Sequence, residues 1–391
     1  MRTWQSVAIG VVIGAIVIAA GAVSGVMDHA IDRLVPAAPV VADADPTGDP
    51  QPSLVLVTHD ETDPSGQARG LVVLAYDREA HEGTIVLVPT ATIADVPGYG
   101  SFQLREAFAL GDAPLVDVSL ANLLGVRFDG AASLSVAGWS ALLDRVDGYE
   151  VEVRSRLVES TDDGNVVRFE PGEQHLDGSR LAEYLTFRAE AETELETLPR
   201  VQDVLLGLFD RIAAEPELLE TMFAERTTMI EGADPELVRT LFEQLASARA
   251  DGRVTTVTLP VATLGSGRED SYRLDAPRAA TLVGERLAAS RPDEGAGVGR
   301  GVQILNGNGV PAIGQRVAER LSDGGYRIVL TGNADDFDYE TTRIVIYGDS
   351  PEQLAVAEDV RDRLGVGEIQ RSATTQSVVD VTIVVGADFA R

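Results

Sequence analysis

Residues 6 to 27, SVAIGVVIGAIVIAAGAVSGVM, carry no charged side chain over 22 positions. A helix rising 1.5 Å per residue needs about 20 apolar residues to cross a hydrocarbon core of roughly 30 Å, so this stretch predicts a transmembrane anchor. Arg2 is the only side-chain cation before it, Trp4 suits the interface, and Asp28 and Asp32 follow. By the positive-inside rule residues 1–5 stay cytoplasmic and everything after the anchor is exported. The competing reading is a cleaved signal peptide, with Ala20-Gly21-Ala22 as a small-residue cleavage site. Against it, a secretory apolar core is usually only about 7–15 residues long. The spacings Gly10/Gly14 and Gly21/Gly25 would allow close helix packing, but arise easily in an Ala/Gly-rich helix.

The chain then changes character. Within the linker assigned to residues 28–52, positions 34–52 hold five prolines and three aspartates with few large apolar groups, which predicts an extended tether. Over the whole chain 62 acidic residues face 32 basic ones, a formal net charge of -30. Nucleic-acid partners are therefore not expected, since phosphate backbones require a cationic footprint. Every basic residue is Arg and there is no Cys, which removes lysine chemistry, thiol catalysis, thiolate metal sites and disulfides.

Alternation of apolar residues predicts strands at 53–60, 71–77, 84–88, 132–136 and 149–157, with helical spacing at 102–111, 113–125 and 138–146. Helical patterns dominate next, at 179–188, 201–214, 217–230 and 235–248, before a strand at 253–261 and a helix at 277–290. This mixture predicts an α/β sandwich domain over residues 53–290. The Gly- and charge-rich residues 291–300 read as a linker. Residues 301–391 form a second, smaller α/β domain, with strands at 302–307, 326–332, 342–348 and 379–386 and helices at 312–325 and 351–365. That order is βαββαβ, for which a ferredoxin-like sheet is one arrangement. The acidic segment 333–341, NADDFDYET, is expected in solvent.

Chemistry-bearing motifs are sparse. NGNGVPAIG (306–314) follows a strand and opens a helix, but its spacing matches neither a dinucleotide fingerprint nor a Walker loop, so a tight strand-to-helix turn is the better reading. His29, His59, His81 and His175 offer no i, i+4 zinc pair. No nucleophile-elbow motif occurs, and acidic pairs such as Asp162/Asp163 and Asp335/Asp336 sit in polar loops.

One cluster is specific. FEPGEQHLDGSRLAEYLTFR (169–188) joins Phe169, Gly172 and Gln174-His175-Leu176-Asp177-Gly178, read as a turn, to a helix bearing Tyr184 and Arg188. It resembles the LytR-CpsA-Psr family of membrane-anchored bacterial cell-envelope proteins. The resemblance extends through VPGYG (96–100), NLLGVRFDG (122–130) and GWSALLDRVDGYEVEV (138–153). The second domain, opening with VQILNGNGV and closing with VDVTIVVGADF, is similar to the C-terminal domain often attached to this family in actinobacteria.

The resemblance implies a phosphotransferase that moves a glycopolymer from a polyprenyl-pyrophosphate carrier to peptidoglycan. It also implies an apolar lipid channel under the sheet, Arg side chains on the pyrophosphate and Asp side chains on Mg2+. Guanidinium groups and a divalent cation would stabilise charge on phosphate oxygens. This sequence departs from that pattern. Where the family has Pro-Arg-Asp after a strand, it has Pro89-Thr90-Ala91, and Arg69 stands where an Asp is expected. In Tyr-x-Arg-x-Arg, Thr186 replaces the first Arg and Arg188 remains. Asp-x-x-Arg-x-x-Arg-Gln-Gln corresponds best to Glu194, Thr197, Arg200, Val201 and Gln202. The remaining pyrophosphate-binding candidates are thus Arg188, Arg200 and Gln202, with Arg69 and Arg105 as substitute cations and Asp60 as the sole metal-side candidate.

The expectation is a membrane-tethered, catalytically degenerate member with no cofactor, that binds a polyprenyl-linked glycopolymer or peptidoglycan, or scaffolds active relatives. Two alternatives are weighed against it. One is an active transferase with relocated Arg residues, which would use Mg2+. The other is a transcriptional attenuator, against which the export topology and acidic charge both argue.

Overall fold

The apolar run Leu54-Val55-Leu56-Val57 places consecutive side chains on opposite faces of a strand, and both faces need covering. The chain does so with two helical layers. It is described by a computed structural model covering residues 52–389, apart from 98, 162–163, 224–229, 265–269, 292–296, 298–299, 323, 349 and 373–378. The expected anchor and the tether up to residue 51 lie outside the described residues, as does most of the linker 291–300.

In the first domain β1 (Ser53–His59), β2 (Ala68–Asp77) and β3 (Glu82–Leu87) form an antiparallel meander. A hairpin of β4 (Ile93–Val96) and β5 (Gly100–Gln103) leads into α1 (Leu104–Leu124). Then come β6 (Gly130–Ser135), α2 (Val136–Asp144), β7 (Tyr149–Val153), β8 (Leu157–Thr161), β9 (Gly164–Phe169) and β10 (Gly172–Leu176). The helical part comprises α3 (Gly178–Thr186), α4 (Glu194–Ala214), α5 (Leu218–Phe223) and, after β11 (Ile230–Glu231), α6 (Pro235–Ala250). Strands β12 (Val254–Thr258), β13 (Val261–Thr263) and β14 (Tyr272–Leu274) and helix α7 (Ala276–Arg286) complete the domain.

The main sheet has the order β11-β6-β1-β2-β3-β12, with β6 parallel to β1 and β12 parallel to β3. Leu54, Leu56, Leu74 and Ile85 face a core built with α2, α3, α4 and α6, where Trp139, Phe209 and Phe242 are fully buried. Val55, Val57, Val73 and Val86 face the other core, built with α1 and α7. Helix α1 is long and apolar enough to cross a membrane by length and composition, but here it covers the sheet and is broken by non-helical backbone at Gly111 and Asp112.

Several expectations are corrected. Of the stretch 174–178, read as a turn, residues 174–176 belong to strand β10, antiparallel to β7, and Asp177 and Gly178 cap and open α3. Residues 149–157 and 253–261 each divide between two strands, and the helix expected over 217–230 is confined, among the described residues, to Leu218–Phe223. In the second domain β15 (Gly301–Asn306), α8 (Ile313–Ser322), β16 (Arg327–Asn333), β17 (Arg343–Ile346), α9 (Pro351–Leu364), β18 (Glu368–Arg371) and β19 (Val381–Val385) give one more strand than expected. The sheet order β16-β15-β19-β17-β18, with β15/β16 and β17/β18 parallel, is not ferredoxin-like. Parallel neighbours need crossovers, and α8 and α9 supply them. NGNG is a tight turn: the Asn306 carboxamide accepts from the amides of Asn308 at 3.2 Å and Gly309 at 2.9 Å.

The 169–188 cluster has a local physical cause. Asp177 caps α3 by accepting from Arg180 N at 2.8 Å, and Gly178 N donates to the Asp144 carboxylate at 2.8 Å. A Cβ on Gly178 would lie 2.2 Å from Ser140 O, so only glycine lets α3 approach α2 this closely. Val118 of α1 is counted among the buried side chains of the second domain's core, so one helix serves both domains.

Candidate functional site

The loop that follows β3 carries the first departures from the family pattern, Thr90 and Ala91. Its backbone is stitched to distant elements: Tyr272 N donates to Ala91 O at 3.1 Å, Leu104 N to Thr92 O at 2.9 Å and Arg105 N to Thr90 O at 2.9 Å. The amides of Thr90 and Ala91 both point at the buried carboxylate of Glu194, the first residue of α4, with the Ala91 contact at 3.1 Å. Two successive amides converging on a carboxylate form an anion cradle. Here the chain's own side chain fills it.

Glu194 also donates its backbone N–H to Asp270 at 3.0 Å. Asp270 is buried, accepts from the Tyr272 hydroxyl at 2.9 Å and is ion-paired with the Arg188 guanidinium. Burial, then the hydrogen bond and charge of Asp270, push the Tyr272 phenol well above its ordinary range, so Tyr272 stays a donor. Arg188 is further tied by its Nε to Glu192 O at 2.8 Å. Arg200 is itself buried, its two terminal nitrogens reaching the Glu192 carboxylate at 2.6 and 2.9 Å and a third contact running to Phe187 O at 2.5 Å.

The replaced positions make ordinary local bonds. Thr197 Oγ1 donates to Glu194 O at 2.7 Å, and Thr186 Oγ1 to Ala182 O at 2.8 Å. Gln202 follows on α4, half-buried. Arg105 has a buried Nε without a hydrogen-bond partner. Arg69 pairs with Asp63 at 3.0 Å and Asp60 at 3.8 Å. Hydrogen bonds from the Thr62 hydroxyl and amide, at 2.6 and 2.9 Å, hold the Asp60 carboxyl below its ordinary value.

Thus the separated segments around Thr90, Ala91, Arg188, Glu194 and Thr197 do come together. What sequence reasoning missed are the acids: Asp270 and Glu192, and the carboxylate role of Glu194. Nothing in GREDSY (267–272) marks Asp270, since a charged strip before a short strand reads as solvated. The residues do not fit the magnesium site that the resemblance implies. Ala91 offers no side-chain oxygen, Asp60 is occupied by Thr62 and Arg69, and among the described residues no three His, Asp or Glu side chains group as metal ligands.

Comparison with known proteins bears on both domains. The LytR_cpsA_psr family matches residues 40–285, and the family described as LytR cell envelope-related transcriptional attenuator matches residues 301–389. The cell wall biosynthesis protein LcpA of Corynebacterium glutamicum is 25% identical over 269 residues, 63% of this chain and 51% of that protein. The chain spans about half the length of the curated relatives it matches. Bacillus subtilis TagV superposes with a TM-score of 0.51 at 17% identity, covering 61% of this chain and 98% of TagV. TagT bound to LI-WTA gives a TM-score of 0.51 at 17% identity, covering 64% of this chain and 94% of TagT. These structures share the fold of the first domain, and the family match extends over most of the chain: the protein belongs to the LytR-CpsA-Psr family.

Proposed function

We propose that the protein is a catalytically degenerate member of its family that acts in cell-wall assembly by binding polyprenyl-linked wall glycopolymer rather than by transferring it to peptidoglycan. One observation carries this reading: both family-position guanidiniums, Arg188 and Arg200, are neutralised by internal carboxylates. A transferase needs uncompensated positive charge where phosphate charge develops, and losing one such donor costs about 3 kcal/mol of transition-state stabilisation. Thr90, Ala91, Thr186 and Thr197 remove further charge that the family pattern would place on these segments. The relative named for cell wall biosynthesis and the TagT complex with LI-WTA support the ligand class. Residues 6–27 anchor the protein in this reading, the folded domains lie outside the cytoplasm, and active relatives are natural partners at the wall.

The deciding experiment incubates detergent-solubilised full-length protein with a polyprenyl-pyrophosphate-linked glycan, peptidoglycan and Mg2+. Retention of the glycan without release of polyprenyl phosphate is the expected result. Transfer to peptidoglycan at a rate set by the protein would make it an active transferase with relocated residues.

A further inference from the structure

We propose that Asp270 is a built-in anion that fills the place among Arg188, Tyr272 and the start of α4 where a ligand's phosphate oxygen would otherwise be held, and so determines which ligands this cluster admits. This deepens the proposed function and rests on its reading of these segments as the ligand-binding region. Three donors of different kinds converge on one buried carboxylate: the Arg188 guanidinium, the Tyr272 hydroxyl at 2.9 Å and the Glu194 N–H at 3.0 Å. The last is the first amide of a helix of 21 residues, whose N-terminus favours negative charge. A cation, a hydroxyl and a helix N-terminus together are the donor set that holds a phosphate oxygen. Gln103 adds a fixed point, its amide donating to Asp270 O at 3.1 Å and so holding the carboxylate's own backbone in place.

The neighbouring cradle, the amides of Thr90 and Ala91, is filled in the same way by Glu194. Both anion positions are therefore taken by side chains of this chain. A pyrophosphate would have to displace Asp270 from Arg188 within reach of a further carboxylate, Glu196, whose charge acts on both. The cluster accordingly discriminates against a free pyrophosphate.

Asp270→Asn removes the negative charge, keeps an oxygen for Tyr272 and leaves Arg188 uncompensated. Full-length wild type and variant are titrated calorimetrically with inorganic pyrophosphate and, separately, with farnesyl pyrophosphate. The variant is expected to bind both at least tenfold more tightly than wild type, with the gain falling as salt screens the charge. A gain confined to farnesyl pyrophosphate would place the new affinity in the lipid and overturn the proposal. So would equal binding by wild type and variant, or a gain that survives addition of Arg188→Gln.

Should Asp270→Asn lose its fold, Arg188→Gln alone in the wild-type background decides. With Asp270 already on Arg188, that change leaves pyrophosphate affinity within twofold, whereas a tenfold loss would show Arg188 holding phosphate. Glycopolymer transfer by the wild type is read in a different assay, so the two ideas fail separately.

Discussion

Arg200 shows how a residue's type can survive while its task changes. Its side chain is only 7% exposed and its charge is spent on Glu192, eight positions earlier. Removing one partner of a buried pair strands the other, so Arg200→Ala should destabilise the protein by about 3 kcal/mol in urea unfolding. A loss below about 0.5 kcal/mol, the range of ordinary surface substitutions, would return Arg200 to the list of free ligand contacts. At this scale the sequence disclosed the cations but not their partners. Arg188 and Arg200 stand at positions with a recognisable pattern, whereas Asp270 lies 76 positions beyond Glu194 and meets it only through the fold. Long-range pairing of common acidic residues leaves no local trace.

Elements with strong periodicity were legible. Strands β1 to β3, helices α2, α3 and α6 and both crossover helices of the second domain fall close to where alternation or helical spacing puts them. The break in α1 at Gly111 and Asp112 matches the two separate helical patterns seen there. Strand β9 was missed because most of it is exposed, so no buried face imposes alternation, and β10 because it is short and has only Leu176 fully buried. The best test of the element scale is the α2/α3 contact. Gly178→Ala puts a methyl 2.2 Å from Ser140 O and 2.4 Å from Asp144 N, both backbone atoms that cannot step aside cheaply. Overpacking of this kind should lower stability by about 3 kcal/mol. Gly125→Ala, at a left-handed helix end with open space around it, should cost only about 1 kcal/mol. Thermal melting of the two variants side by side would expose an error if their order reversed.

For the whole molecule, topology and pH response are the measurable properties. A cysteine at Ser65, an exposed loop position, should react with a membrane-impermeant reagent in intact cells; protection until the cells are lysed would contradict export. Asp117 of α1 has a buried Oδ1 without a hydrogen-bond partner, and burial, followed by the like charges of Glu319 on α8 and Asp129, pushes its carboxyl from 3.8 up to about 7. Burial also raises Glu319, partly offset by Gln315 and Arg316. Between those two values for Asp117 the folded chain holds a proton that the unfolded chain has released, so stability should fall as pH rises from about 4 to about 7 and then level off. Asp117→Asn, uncharged throughout, should flatten that slope in melting temperatures taken against pH. An unchanged slope would assign the dependence to other groups.

The sharing of α1 by two cores has a further consequence. Val118 is buried with Val302, Ile304 and Ile313, while Leu115 and Val116 of the same helix are buried against the main sheet. Releasing the second domain would expose Val118 of α1, so each domain is expected to stabilise the other through this helix. Amide exchange should then retire β1 and β15 with a common opening free energy rather than as two independent foldons. Substitutions in the second domain at the Val118 contact should therefore shift the stability of the first domain as well.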